Sequence, residues 1–161
     1  MNEIRDQWVF LVDPGRPAAG SVPPHAVVGA WLTGADGYRG EFLPNPDYDP
    51  ASAASPTDPV DAALRITGEL DAAALLAVIR AGTYGVALDG DGRPVVAPAP
   101  DGVPSLLVTT AAEHRARVHT GRWRVLGADE LVALLAELGV DVLVNPGARH
   151  SMRLARTALS W

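Results

Sequence analysis

The sequence predicts an α+β protein: a single mixed, largely antiparallel sheet with three to four helices packed around it. Three observations carry this expectation. Short apolar runs are bounded by Gly, Pro, Asp and Asn, the punctuation of strands and turns. Asp-Gly pairs sit between several of these runs and supply the positive φ that antiparallel hairpins need. Later in the chain, apolar residues recur at i, i+3, i+4 and i+7 behind capping residues, as in amphipathic helices. The 161 residues suit one domain of ordinary size. It is expected to comprise a β-rich part over 1–43, a proline-rich connector over 44–58 and a larger part over 59–161.

In chain order, residues 8–12 form a short apolar strand stopped by Asp13-Pro14. Residues 16–24 are a proline-rich loop. Residues 26–32 and 38–43 flank Asp36-Gly37 and are expected to pair antiparallel. Eight of the 14 prolines lie in residues 1–58. Residues 44–58 carry Pro44, Pro46, Pro50 and Pro56 with no apolar period, so they read as an extended connector. Asp58-Pro59 starts a helix, because Asp accepts from free N–H groups and Pro suits the first helical position. Asp71 caps a second helix whose face is Ala72, Leu75, Leu76 and Ile79, and Gly82 ends it.

A strand over 84–88, the turn 89–92 and a short return at 95–97 follow, with Pro98 and Pro100 keeping the return near an edge. Residues 105–109 form a central strand. Thr110 and Glu113 are spaced as a capping box, which predicts a short helix over 111–118. Residues 122–126 alternate as a strand. In the helix over 128–138, Leu131, Leu134, Leu135 and Leu138 share one face, and Gly139 terminates it. Residues 140–144 form an apolar strand closed by Asn145-Pro146-Gly147, and residues 152–159 read as a last strand or a short helix, with strand favoured. Trp8, Trp31 and Trp123 lie in expected strands and are assigned to the core. Trp161 either frays or docks.

Composition limits the chemistry. All 13 basic residues are Arg, and there is no Cys. Disulfides, thiolate catalysis, Cys-ligated zinc, lysine Schiff bases and a P-loop lysine are therefore excluded. The net charge of −6 argues against nucleic-acid binding. Residues 111–161 run against that balance, with seven Arg against five acids, and are a candidate basic patch. No run approaches the ~18 apolar residues of a membrane span, and no export signal is evident, so cytoplasm is the expected location.

No constellation announces catalysis. The turn Asp89-Gly90-Asp91-Gly92 begins like a calcium loop, but Arg93 and Pro94 stand where a ligand and a glycine belong. His114 and His119 are five apart, not the four that would align two imidazoles on a helix. His150 beside Ser151 lacks a nucleophile elbow. Asp47 and Asp49 sit in a proline-rich segment, a poor pocket for raising a carboxyl pKa. No catalytic residue, cofactor or metal ligand is therefore assigned. The candidate interaction residues are Asn45, Asp47 and Tyr48 on the connector, with Tyr48 read as an exposed aromatic, and Asn145 at the late turn. Edge strands offer a further route to partners by β-addition.

The ordered motifs also carry a resemblance. Val27-Val28-Gly29-Ala30-Trp31 is followed by Phe42-Leu43-Pro44-Asn45-Pro46-Asp47-Tyr48, then by Ser55-Pro56-Thr57-Asp58-Pro59-Val60-Asp61-Ala62-Ala63. Asp101-Gly102-Val103-Pro104 then leads to Val108-Thr109-Thr110, and Asp141-Val142-Leu143-Val144-Asn145-Pro146-Gly147 closes the series. The set resembles the actinobacterial type VII secretion system-associated proteins, and the part from about residue 84 onward resembles the SseB N-terminal domain. The resemblance implies a small cytoplasmic accessory or adaptor protein, acting by protein–protein contact near a secretion machine or its substrate, and carries over no active site. The alternative expectation is a small-ligand-binding or sensor domain with a pocket beside Asn145. A hydrolase is the least favoured reading.

Overall fold

The computed structural model describes residues 6–16, 20–40 and 42–161. Residues 17–19 of the expected loop and residue 41 of the expected strand over 38–43 lie outside the described residues. The fold is α+β with largely antiparallel pairing, as expected, but its strands divide between two sheets rather than forming one. The chain forms two compact units that meet at Ala62 and Ala63.

The first unit carries three antiparallel strands, β1 (Gln7–Val12), β2 (Val27–Thr33) and β3 (Leu43–Pro44), in the order β1-β2-β3. The expected pairing around Asp36-Gly37 is present. Gly37 takes φ +77°, Thr33 bridges to Arg39, and Leu43 lies opposite Ala30. The pairing of β1 along the whole of β2 was not anticipated. Paired residues share a face, so Val9, Trp31 and Gly29 lie on one side of the sheet. There the Phe42 ring sits 4.9 Å from that of Trp31. A side chain on Gly29 would meet that ring at 2.3 Å, so glycine is required for the crossing. Pro44 ends β3 and begins the proline-rich segment, which cannot continue a ladder. That is why the first sheet does not run on into the second.

Helix α1 (Pro59–Arg65) begins where expected, with Asp58 Oδ1 accepting from the amides of Val60 (2.9 Å) and Asp61 (3.0 Å).

The second unit is built on a six-stranded sheet. Its strands are β4 (Thr83–Leu88), β5 (Val96–Pro98), β6 (Pro104–Thr109), β7 (Arg122–Gly127), β8 (Asp141–Val144) and β9 (Met152–Leu154). The main path is β7-β4-β6-β8-β9, and β5 adds to β6. Only β6 and β8 pair in parallel among these strands. Helix α2 (Ala72–Arg80) is capped by Asp71, whose Oδ1 accepts from the Ala74 amide at 2.7 Å. Helix α3 (Ala128–Leu138) has the predicted bounds and ends at Gly139 with φ +67°. The row Val86–Val108–Val144 crosses β4, β6 and β8. With Tyr84, Ile79, Leu131 and Leu135 it makes up much of the buried core. Tyr84 donates its hydroxyl to the carbonyl of Ile79 at 2.6 Å, satisfying a polar tip inside this core.

Two local expectations are corrected. The segment after β6 is a 3-10 helix over Ala112–Arg117 with no side-chain cap, because Thr110 bonds Asn145 instead of closing a box with Glu113. The last stretch is not one strand: β9 is followed by a 3-10 helix, Arg156–Leu159. Trp161 is docked. Its Nε1 donates to Asp129 Oδ1 at 3.0 Å, and the Arg80 guanidinium lies 5.4 Å from its ring centre. No described helix is long and apolar enough to cross a membrane.

Candidate functional site

The proline-rich segment is fastened to the first unit, and the fastening uses two of the candidate interaction residues. Asp13 ends β1 and is fully buried. Its carboxylate accepts from the amides of Gly15 (2.8 Å) and Ala51 (2.9 Å), from the Tyr48 hydroxyl (3.2 Å) and from the Ser55 side chain. Burial pushes this carboxyl up, but the donors from Ala51, Ser55, Gly15 and Tyr48 outweigh it and hold the group below its ordinary 3.8. Asn45 bonds inward too. Its Nδ2 donates to the carbonyls of Pro24 (2.9 Å) and Val27 (2.8 Å), and its Oδ1 accepts from the Asp47 amide (3.1 Å).

Asn45 and Tyr48 thus hold a loop rather than offering free groups, and Tyr48 is only half-exposed. Asp47 is exposed and stands beside this loop. Asn145 lies in the second unit, fully buried at φ +51°, the left-handed region that Asn tolerates better than most residues. Its Oδ1 accepts from the Thr110 amide at 2.9 Å, and its Nδ2 donates to Thr110 Oγ1 at 3.0 Å. It pins the end of β8 to the end of β6.

The other singled-out groups do not converge. Arg153 pairs with Asp101 and Asp141, Arg122 donates to the Gly90 carbonyl, and Arg115 lies over Trp123. His114 is buried with Arg117 3.4 Å from its Nδ1, while His119 is exposed. The turn at Asp89 is a hairpin turn, its Oδ1 accepting from the amides of Asp91 and Arg93. Among the described residues, no group of three or more His, Asp or Glu is placed to hold a metal ion.

The surface with the clearest physical character lies on the first unit, opposite the Trp31–Phe42 face. Cross-strand pairs place Trp8 beside Leu32, and Ala30 between Phe10 and Leu43. Trp8 (52%), Phe10 (58%) and Leu43 (51%) are all exposed, which corrects the assignment of Trp8 to the core. The small Ala30 between Phe10 and Leu43 forms a floor between two walls. Val12, Val22 and Pro24 extend this into an apolar groove of about 600 Å³. Among the described residues its one polar side chain is Asn45, whose amide is already engaged.

Beside the groove runs β1, Gln-Trp-Val-Phe-Leu-Val, which pairs only with β2 among the described residues. It has no charge, proline or glycine. Edge strands of monomeric proteins ordinarily carry charges, prolines or bulges against pairing; β1 has only a register shift between Leu11 and Val12 at its end. The strand itself was legible as an apolar run over residues 8–12, but a run apolar throughout does not say which face lies open.

No protein-family model matches the chain, and no curated protein or solved structure matches it either.

Proposed function

We propose that this protein is a non-enzymatic adaptor that binds an extended segment of a protein partner along β1 and over the adjoining groove. The observation that carries the proposal is the uncharged β1 edge, unpaired on its outer side among the described residues, beside exposed Trp8 and Phe10. An added strand supplies backbone groups to the open edge, and its alternate side chains meet the apolar face. Trp and Phe supply large contact area at small entropic cost, as binding hot spots do. The motif series from Val27 to Gly147 supports a setting: a cytoplasmic accessory protein of type VII secretion, with a machine component or substrate as partner. The test is affinity capture from the native host with wild-type protein and the Phe10→Asp variant. Recovery of a secretion component by wild type and not by the variant supports the reading, and recovery of none by wild type contradicts it.

A second reading has its own observation. The groove volume of about 600 Å³ falls within the usual range for small-molecule sites, roughly 300–1,000 Å³. Its apolar lining suits an uncharged ligand. A sensor of this kind would use the groove on the first unit, not a pocket at Asn145, whose side chain is bonded to Thr110.

A further inference from the structure

We propose, resting on the reading that β1 receives an extended segment, that this segment is basic: it carries Lys or Arg at each end of its apolar stretch.

The charge of the chain is not shared between its two units. Residues 1–62 hold nine acids against three arginines, a net of −6, which is the net charge of the whole chain. Residues 63–161 hold ten acids and ten arginines and balance. The unit that carries the apolar groove is therefore the acidic one.

Within that unit, carboxylates stand at both ends of the β1 edge. Asp6 immediately precedes β1 and is exposed. Gln7 pairs with Thr33, the last residue of β2, and the turn that follows carries exposed Asp36. At the other end, Pro46 lines the groove and the next residue is exposed Asp47. Among the described residues no cation pairs with Asp6, Asp36 or Asp47. The described arginines of this unit are engaged elsewhere. Arg16 donates to Asp49 at 2.9 Å, and Arg39 lies 4.8 Å from the ring centre of Trp31, on the opposite face of the sheet. Between the two acidic ends, β1 itself carries no charge.

Six strand residues span about 20 Å. A segment paired along Gln7–Val12 lays its apolar residues over Phe10 and the groove, and its flanking residues come to the acidic ends. Basic flanks are attracted there and acidic flanks repelled, which speeds encounter and rejects wrong partners. Exposed ion pairs add little affinity and are screened by salt. The backbone ladder and the aromatic contacts thus hold the segment, and the carboxylates select it. A second copy of this chain is the poorer occupant, because it would bring a further net charge of −6 to the same place.

The test selects peptides on the full chain at low salt from a random displayed library and measures synthetic copies by fluorescence anisotropy. Lys and Arg should be enriched over Asp and Glu at the flanks, relative to the unselected library. Replacing the basic residues of one end by Gln should weaken binding about threefold, and of both ends about tenfold, with the difference shrinking at high salt. The chain carrying both Asp6→Asn and Asp47→Asn should bind the basic peptide and its Gln version alike. Phe10→Ser should weaken every peptide, whatever its ends. Selected peptides without a basic excess, or unaffected by the Gln exchange and by the double variant, overturn the charge preference and leave the β1 reading standing. Selection of no peptide, or binding unchanged in Phe10→Ser, removes the β1 reading and this proposal with it. A dimer in sedimentation that Phe10→Ser dissociates gives the edge to a second copy and also overturns the proposal.

Discussion

Tyr48 donates its hydroxyl to the buried carboxylate of Asp13, 35 residues earlier in the chain, at 3.2 Å. This contact makes the proline-rich segment part of the first unit rather than a tether. Tyr48→Phe removes one donor and keeps the ring. It should lower stability by about 1 kcal/mol in urea or thermal melts.

Asp13→Asn should be more damaging, because the amide cannot accept from all of Gly15, Ala51, Ser55 and Tyr48. A loss of about 2–3 kcal/mol is expected. The variant also tests pH dependence. In the unfolded chain Asp13 takes up its proton near its ordinary 3.8, and in the folded chain only at lower pH. Its contribution is therefore complete above that value and disappears as pH falls through the folded pKa. Melting temperatures of Asp13→Asn should fall less steeply with acid than those of the native chain. Equal slopes would show that Asp13 is not the group responsible.

Gly29→Ala places a methyl 2.3 Å from the Phe42 ring and 2.5 Å from the Leu43 carbonyl oxygen. The second contact is backbone and cannot rotate away. A loss of about 2–3 kcal/mol is expected, with weaker β2–β3 pairing seen as faster amide exchange at Asn45. Combining it with Phe42→Ala should recover only part of the loss.

Asn145→Ala removes the bonds to Thr110 and leaves a β-carbon in left-handed backbone. Stability should fall by about 2–4 kcal/mol. Asn145→Gly relieves the backbone and not the bonds, so its loss should be smaller. If the two variants are equal, conformation at this position does not matter.

Asp129→Ala and Arg80→Ala each remove one tether of Trp161. Each should cost no more than about 1 kcal/mol and should shift Trp161 fluorescence toward that of a solvated indole.

The bounds of α3 follow from the Leu131–Leu138 spacing and Gly139, because helix period and termination are local properties. The caps at Asp58 and Asp71 were legible for the same reason. Thr110 misled because a local capping pattern with Glu113 competed with Asn145, 35 residues away, and the distant partner won. Asn45 and Tyr48 were singled out as candidate contacts for a partner, and in the structure their side chains bond within the chain. Their hydrogen-bond partners at Pro24, Val27 and Asp13 depend on tertiary contacts that no spacing encodes. The exposure of Trp8 was hidden likewise: residues 8–12 are apolar on both faces, so the pattern does not say which face is covered. The division into two sheets rests on Pro44, Pro46, Pro50 and Pro56, which were visible but were read as a linker within one domain.

Amide hydrogen exchange on the full chain decides whether β1 receives an extended partner segment. The ligands would be peptides selected from a random displayed library. The selected peptides should alternate apolar residues, slow exchange at alternate amides of Gln7–Val12, and lose binding in Phe10→Asp. Peptides that bind equally well to Phe10→Asp and leave exchange in β1 unchanged would contradict it.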